Sequence, residues 1–240
     1  MSVAAVDPAA LAVLSAGAAK GLVEALQASF RDETGAGIVG TFGAVGAIRE
    51  QFAGGAACDV LILTAAQLAE LERVASVVAD TIAPLGRVAT GVAVRSGDPH
   101  PGIADRRDLA DTFGAGKALY CPDPERATAG IHFVNVLRAL GLWPGAAERL
   151  RAYPSGAIAM RELAQACGDG LVGCTQVTEI LYTPGVELVG PLPAPFALET
   201  VYSVAVAARS RHPDLARRFA AHLAGPDSRE LRERGGLMPA

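Results

Sequence analysis

Three turns of small residues are the segments of this sequence best suited to ligand binding. They are Ser15-Ala16-Gly17-Ala18, Gly43-Ala44-Val45-Gly46 and Thr128-Ala129-Gly130. Each comes just before a predicted helix, where backbone N–H groups lack partners and the helix dipole favours a negative charge. Small side chains also let a ligand approach the backbone closely. Taken singly, each turn is typical of an ordinary strand-to-helix connection, but the three together favour an oxyanion site.

The charged and titratable residues nearest these turns are Lys20, Arg49, His132 and Arg161. Lys20 falls in the first turn of the opening helix, where the dipole disfavours a cation unless an anion binds beside it. We therefore expect Lys20 to be the charged ligand contact. Arg49 and Arg161 are most simply explained as solvated helix faces. His132 is more often a surface histidine than a base in such a position, although its chemistry also suits proton transfer.

The overall charge supplies no field that would attract an anion, so an anion site must be built locally. The chain has 240 residues, 51% of them hydrophobic and 19% charged, and a formal net charge of −4. It contains no Lys/Arg cluster, which argues against nucleic acid as a partner. No apolar run is long enough to span a membrane, and the sequence has no phosphate-binding loop or dinucleotide fingerprint.

The cysteines do not indicate a metal site or disulfides. Cys58, Cys121, Cys167 and Cys174 are scattered without a CxxC or Cys/His pattern, so we predict small core residues and neither metal nor cofactor. The opening segment, MSVAAVDPAALAVL, lacks the basic and long apolar regions of a secretory signal. We therefore expect either a periplasmic protein seen as its mature chain or a cytoplasmic protein.

About the first eighty residues predict three strand–helix units. The predicted strands are 11–14, 37–42 and 59–63. Helices should follow each strand, and Thr64 should cap the third helix, at 65–74. This alternation predicts a parallel sheet with right-handed crossovers. Further along, Thr128-Ala129-Gly130 is predicted to be a loop that leads into a helix at 131–140.

A second α/β block lies between two extended stretches, 87–95 and 191–208. Two extended crossings around an inserted block predict two lobes joined by a hinge. We predict an α/β fold in which residues 1–85 and 196–240 form one lobe and residues 86–195 form the other. Ligands of such sheets bind at the carboxyl ends of strands and at helix N-termini, so the site should lie in the cleft between the lobes.

Four segments of the chain carry a family resemblance: VLSAGAAKGLVEAL, TFGAVGAIREQFAGGAACDVLI, PDPERATAGIHF and LVGCTQVTEI. In their order and spacing they resemble the molybdate-binding protein family, the solute-binding components of ABC importers. The resemblance extends from Leu11 to the C-terminal helices. It implies the type 2 periplasmic-binding-protein fold, an anion in the inter-lobe cleft and an importer permease as partner. Openings such as SAGA also resemble a branch of proteins that isomerise cis- and trans-aconitate.

The resemblance implies which positions would contact the anion, which this family holds with hydroxyls and backbone N–H groups and without metal. Two serine positions of the family fall at Ala18 and Val45, and a tyrosine position falls at Gln176. Two backbone-donor positions fall at Ala129 and Ile158. The backbone donors are thus retained, and the three side-chain ligands are replaced.

The lost hydroxyls make an organic anion at least as plausible a ligand as molybdate. Each donor lost to a dehydrated dianion costs about 1–3 kcal/mol, although Ser15, Thr41, Thr128 and Thr175 could compensate from shifted positions. Carboxylates suit helix N-termini, and the volume freed by the missing serines would admit a carbon skeleton.

We therefore predict a hinge-closing binder of a small anion, either a molybdate-like oxyanion or a carboxylate. The expected ligand-binding residues are Ser15, Gly17, Ala18, Lys20, Gly43, Ala44, Val45, Thr128, Ala129, Ala157, Ile158 and Gln176. The alternative is an isomerase of a small polycarboxylate on the same fold, with Lys20 or His132 as the base. A third alternative is a cytoplasmic anion sensor without transport or catalysis.

Overall fold

The computed structural model describes residues 10–240, so residues 1–9 of the predicted first lobe lie outside the described range. The strands are β1 (Ala10–Ala16), β2 (Gly37–Gly43), β3 (Val60–Thr64), β4 (Ala83–Arg95), β5 (Ala118–Pro122), β6 (Leu150–Tyr153), β7 (Leu171–Gln176), β8 (Val186–Pro191) and β9 (Glu199–Val206). The helices are α1 (Lys20–Thr34), α2 (Val45–Ala53), α3 (Ala65–Arg73), α4 (Arg106–Ala115), α5 (Thr128–Ala139), α6 (Gly156–Gln165), α7 (Val177–Leu181), α8 (Pro213–Ala224) and α9 (Arg229–Arg234). A 3₁₀ turn, Gly17–Ala19, connects β1 to α1.

The strands form a mixed sheet in the order β2-β1-β3-β9-β4-β7-β5-β6, with β8 paired to β4. β1 pairs in parallel with β2 and β3, as the strand–helix alternation predicted. β9 lies between β3 and β4 and runs antiparallel to both. The C-terminal ends of β1, β3 and β7 lead directly into helices or helical turns, so those helix N-termini lie beside the strand ends, whereas a loop separates β5 from α5.

β4 connects the two halves of the sheet. Its residues 83–89 pair with β9, whereas residues 90–95 pair with β7 and β8. Buried apolar residues accordingly form separate cores. One core surrounds β1, β3 and β9 and includes Leu11, Ile62 and Val204, and another surrounds β5 and α5 and includes Leu119 and Phe133. The molecule is therefore a two-lobed α/β protein, as predicted.

The limits of the lobes, 1–85 with 196–240 and 86–195, stay a proposal. Phe196 packs into the core around β5 and α5, one residue beyond the proposed limit at 195. The crossing segments are β4 and the stretch from β8 to β9, which correspond to the two extended stretches seen in the sequence.

The starts of two helices illustrate what the sequence did and did not show. Thr64 caps α3 as predicted, because its Oγ1 accepts a hydrogen bond from the N–H of Gln67 at 3.3 Å. By contrast, Thr128-Ala129-Gly130 is the first turn of α5, so the predicted start at residue 131 is wrong. Asp123 Oδ1 accepts hydrogen bonds from the N–H groups of Glu125 and Arg126, at 2.8 and 3.0 Å. These bonds close the turn before α5, so the helix begins earlier than predicted.

Candidate ligand-binding site

A small pocket, here called the inner pocket, lies where the N-termini of α2, α5 and α6 approach the 3₁₀ turn Gly17–Ala19. The volume open to the centre of a water molecule is about 20 Å³. One water needs roughly 10–15 Å³, so the inner pocket suits one compact polar group. The residues lining it are Ala16, Gly17, Ala18, Gly43, Ala44, Val45, Pro122, Ala127, Thr128, Ala129, Ser155, Gly156, Gln176, Glu179 and Tyr202.

The helices that begin at the inner pocket include two without side-chain caps. α2 and α5 begin after Ala44 and Ala127, neither of which can accept a hydrogen bond through its side chain. α3 and α4 begin away from the pocket and are capped by Thr64 and Asp105. Replacing a polar cap by alanine costs about 0.5–2 kcal/mol. α8 and α9 also begin without a side-chain cap, so what distinguishes α2 and α5 is that their uncapped ends meet at one pocket.

Gln176, the last residue of β7, brings an unpaired amide to the inner pocket. Its side chain is 3% exposed, and neither Nε2 nor Oε1 has a hydrogen-bond partner within residues 10–240. A buried polar group without a partner costs about 1–3 kcal/mol. Tyr202 lies close to the side chains of Thr128 and Gln176; burial and the Glu179 charge raise the pKa of its phenol, and these two neighbours lower it by less. The phenol thus stays neutral, and both it and the amide can donate to a bound anion.

Glu179 places a buried carboxyl in the wall of the inner pocket. It is 6% exposed, and the Thr175 hydroxyl donates to its Oε2 at 2.6 Å. Burial raises the pKa of this carboxyl, whereas Thr175 and the backbone N–H groups of Ala157 and Gly156 act to lower it. Gly17 leaves the space that the carboxyl needs, because a Cβ there would lie 2.5 Å from Oε1.

Protein groups therefore occupy the N-terminus of α6. The N–H of Ile158 donates to Ser155 Oγ at 3.3 Å, and the carboxyl of Glu179 interacts with the N–H groups of Gly156 and Ala157. The sequence predicted Ala157 and Ile158 as ligand contacts. Both residues line the cavity described next, and their contact with a ligand stays a prediction.

A larger cavity, the outer cavity, adjoins the inner pocket along Gly17, Ser155 and Glu179. Its volume is about 570 Å³, which is within the range of small-molecule sites. The other residues lining it are Lys20, Gly21, Glu24, Ala25, Phe42, Ala157, Ile158, Arg161, Tyr182, Thr183 and Pro184. A mainly apolar wall with two cationic side chains suits a carbon skeleton that carries negative charge.

Lys20 lies in the outer cavity and does not line the inner pocket. Its Nζ is 2.5 Å from Glu24 Oε2 and 5.6 Å from the centroid of the Phe42 ring. Lys20 is the first residue of α1 because the turn Gly17–Ala19 precedes it as a separate 3₁₀ element. A ligand in the outer cavity would compete with Glu24 for this ammonium.

The structure brings most of the predicted binding residues together at the inner pocket: Gly17, Ala18, Gly43, Ala44, Val45, Thr128, Ala129 and Gln176. Ser15 is buried behind it, and its hydroxyl donates to the carbonyl of Ala16 at 2.9 Å. His132 lines neither cavity, since its Nε2 lies 2.8 Å from the carbonyl oxygen of Phe196. Thr41 is exposed and also lines neither cavity.

Sequence reasoning missed three residues of the inner pocket: Ser155, Glu179 and Tyr202. The turn Pro154-Ser155-Gly156 before a predicted helix was a readable capping signal. Nothing in the sequence marked Glu179 or Tyr202 as buried at a site.

Two contacts join the lobes at the rim of the inner pocket. The N–H of Gly46 donates to the carbonyl of Arg126 at 3.2 Å, and Arg126 Nη2 lies 2.8 Å from Glu50 Oε2. Gly46 and Glu50 belong to α2, whereas Arg126 precedes α5. Both charged side chains are about half exposed, so the ion pair contributes about 0–1 kcal/mol.

Cys58, Cys121 and Cys174 are buried or half-buried, as predicted for core cysteines, whereas Cys167 is exposed. No group of His, Cys, Asp and Glu residues between 10 and 240 is arranged to hold a metal ion. Burial raises the pKa of Cys58 and of Cys121 to about 12, which makes both thiols unreactive at neutral pH. Of the helices described above, none combines the length and apolarity that crossing a membrane requires.

A family model described as bacterial extracellular solute-binding protein matches residues 11–237. The chain belongs to this family. Among curated relatives, this solute-binding protein is 26% identical over 238 residues to an aconitate isomerase from a Pseudomonas species. That match covers 95% of this chain and 87% of the relative.

Solved structures share the fold of this solute-binding protein. The periplasmic molybdate-binding protein of Azotobacter vinelandii superposes with a TM-score of 0.77 at 20% identity, covering 96% of this chain and 99% of that one. The sulfate-binding protein SubI from Mycobacterium tuberculosis superposes with a TM-score of 0.72 at 21% identity, covering 97% and 87%. The predicted periplasmic-binding-protein fold is therefore confirmed.

Proposed function

We propose that this protein binds a small anion in the inner pocket as the solute-binding component of an importer. The observation that carries the proposal is the meeting of two uncapped helix ends, those of α2 and α5, with the buried unpaired amide of Gln176. Neither helix end has a side-chain cap and the amide has no hydrogen-bond partner, so an anionic oxygen could accept from the donors left there, although the Gly46 N–H of α2 already donates to Arg126. Ala18, Val45 and Ala129 complete the proposed contact surface.

The proposed ligand is an organic anion with a compact charged head and a carbon skeleton. The inner pocket accepts one compact group, and the outer cavity beside it is much larger and mainly apolar. Lys20, which is paired with Glu24, and Arg161 are the cationic side chains that a second charged group of the ligand could contact there. Ala18 and Val45 have no hydroxyl to offer a bare inorganic dianion, which favours a carboxylate head over molybdate.

Binding would favour closed lobes, because α2 and α5 pack on different cores and contribute to one pocket. A permease of an ABC importer is the proposed partner, since transport is the usual role of hinge-closing solute binders. The proposed location is the periplasm, in keeping with the extracellular solute binding named in the family description.

A thermal-shift panel of molybdate, tungstate, sulfate, phosphate, citrate and trans-aconitate tests the proposal. We expect the largest rise in melting temperature with a carboxylate, because a ligand that binds only the folded state stabilises it. Gln176→Leu should abolish this rise, whereas Gln165→Leu, on the exposed end of α6, should leave it unchanged. Circular dichroism checks that both variants fold. No shift with any anion contradicts the anion site, and a shift with molybdate alone contradicts the organic ligand.

The second candidate function is the isomerisation of a small polycarboxylate. It is favoured by the 26% identity with an aconitate isomerase over nearly the whole chain. Lys20 lines the outer cavity, where it could exchange an allylic proton of a bound substrate, whereas His132 lies outside both cavities. Proton NMR of trans-aconitate incubated with the protein would detect formation of the cis isomer. Lys20→Gln should then abolish turnover without changing the melting temperature, and no turnover by the unmodified protein contradicts this candidate.

A further inference from the structure

We propose that the inner pocket binds its anion together with one proton, held between the anion and Glu179. The inference rests on the anion site proposed above and adds a specificity-determining residue to it. What carries it is the position of a buried carboxyl in the wall of a pocket whose other features favour negative charge: two uncapped helix ends and the Gln176 amide.

The two carboxyl oxygens of Glu179 have different surroundings. Oε2 accepts the Thr175 hydroxyl at 2.6 Å and lies against Gly156. Oε1 lies toward Gly17, where a Cβ would come within 2.5 Å of it. Gly17 lines both the inner pocket and the outer cavity. Because Oε2 already accepts a hydrogen bond from Thr175, Oε1 is the oxygen left for an anion bound at this wall.

No basic side chain within residues 10–240 forms an ion pair with Glu179. The other ionisable groups that line the two cavities beside it are Tyr202 of β9, Tyr182 after α7, Lys20 and Glu24 of α1, and Arg161 of α6. Lys20 is paired with Glu24 across the outer cavity. An anion that enters the inner pocket thus meets a carboxylate without a neighbouring cation to offset the repulsion.

A proton on Oε1 changes this repulsion into a hydrogen bond. Two like charges in a buried site disfavour each other strongly, whereas a carboxylic acid donates a short, charge-assisted hydrogen bond to an anionic oxygen. Burial raises the pKa of Glu179 and so eases protonation. Thr175 and the N–H groups of Ala157 and Gly156 favour the carboxylate in the free protein. At a pH above the pKa of Glu179 in the free protein, the proton is therefore taken from solvent when the anion binds.

Thermodynamic linkage between proton binding and anion binding gives the direction in which anion affinity changes with pH. Above the pKa of Glu179 in the free protein, the bound state holds one more proton than the free state. Affinity should then fall as the pH rises, by up to about tenfold per pH unit, and should level off below that pKa.

Isothermal titration calorimetry with trans-aconitate, sulfate and molybdate tests the proposal. These probes stay ionised between about pH 6.5 and about pH 8.5, so a change in bound protons in that range belongs to the protein. We expect weaker binding at higher pH and, from buffers of different ionisation enthalpy, uptake of close to one proton. Glu179→Gln, whose amide can donate permanently, should bind with no pH dependence. Glu162→Gln, on the exposed face of α6, should keep the dependence of the unmodified protein.

Each failure has a distinct meaning. Binding of any probe without proton uptake overturns the proton linkage but leaves the anion site standing. A Glu179→Gln variant that keeps the pH dependence overturns the role of this residue. Proton uptake is measured on the unmodified protein, so it tests the proton linkage even if the Glu179→Gln variant does not fold. Absence of binding by all three probes contradicts the proton-linked site, and the thermal-shift panel separately decides the anion site itself.

Discussion

α5 and α6 both begin at the inner pocket, but the protein satisfies their first turns in opposite ways. α6 has Ser155 as its cap and the Glu179 carboxyl beside its first N–H groups. α5 begins after Ala127 and has no side-chain cap. The comparison shows that a helix dipole alone does not make a ligand site. The N-terminus of α6 already faces a carboxyl and so forms part of the pocket wall. The uncapped N-terminus of α5 instead offers N–H donors to a ligand.

The largest expected effect comes from crowding the α6 end. In Gly156→Ala, the new Cβ would overlap Glu179 Oε2 and Thr175 Oγ1 in the buried wall. We expect the free energy of unfolding to fall by about 1–3 kcal/mol, measured by chemical denaturation. The control is Gly114→Ala in α4, where the nearest atom, Leu142 Cδ2, is 3.7 Å away and the free energy should be unchanged or higher. Equal effects of both substitutions would contradict a filled α6 end.

The next effect comes from capping the uncapped end of α5. Ala127 already has the φ and ψ of a cap, −100° and 130°. Ala127→Ser should therefore raise the free energy of unfolding by about 0.5–2 kcal/mol and weaken anion binding, because the hydroxyl competes for the same N–H groups. Denaturation and calorimetry with trans-aconitate measure the two changes.

The matched control for that substitution removes a cap away from the pocket. Thr64→Ala in α3 should lower stability by a similar amount and leave anion affinity unchanged. If Ala127→Ser stabilises the protein without weakening binding, the α5 end does not serve the ligand.

The smallest effect concerns the rim contact that holds the uncapped ends of α2 and α5 together. Glu50→Gln removes the ion pair with Arg126 and should weaken anion binding by no more than about 1 kcal/mol, and less at high salt. Glu70→Gln removes a similarly exposed pair with Arg49, which joins α2 to α3 instead of crossing between the cores, and should not change affinity. Calorimetry at two salt concentrations compares the variants. Equal losses would mean that the Arg126 contact has no special role in closure.

Local patterns were enough to predict the parallel strands, the Thr64 cap and the small-residue turns at the inner pocket. These features depend on residues close together in the sequence. Glu179 depends on tertiary placement instead, because the short helix α7 packs on both α6 and the turn Gly17–Ala19. A glutamate is normally exposed, so no local rule marks this one as buried.

Lys20 and His132, the two residues proposed as bases, show the same limit of prediction from local sequence. Dipole reasoning correctly put Lys20 in the first turn of α1, but the preceding 3₁₀ turn decides that it lines the outer cavity. His132 lies in α5, and its imidazole meets the carbonyl of Phe196, which is distant in the sequence. Neither outcome follows from helix periodicity alone.

The position of β9 also decides the order in which the molecule can fold. Val60 of β3 pairs with Val206, and Ala83 of β4 pairs with Val204, so the first sheet stays open until almost the whole chain exists. β5 pairs with both β6 and β7, which follow it closely in the chain. Pairing over such distances slows folding, and strands without partners are prone to aggregate. The lobe that begins the chain is therefore the last to complete its sheet, and the ligand site, which needs both lobes, assembles at the end of folding.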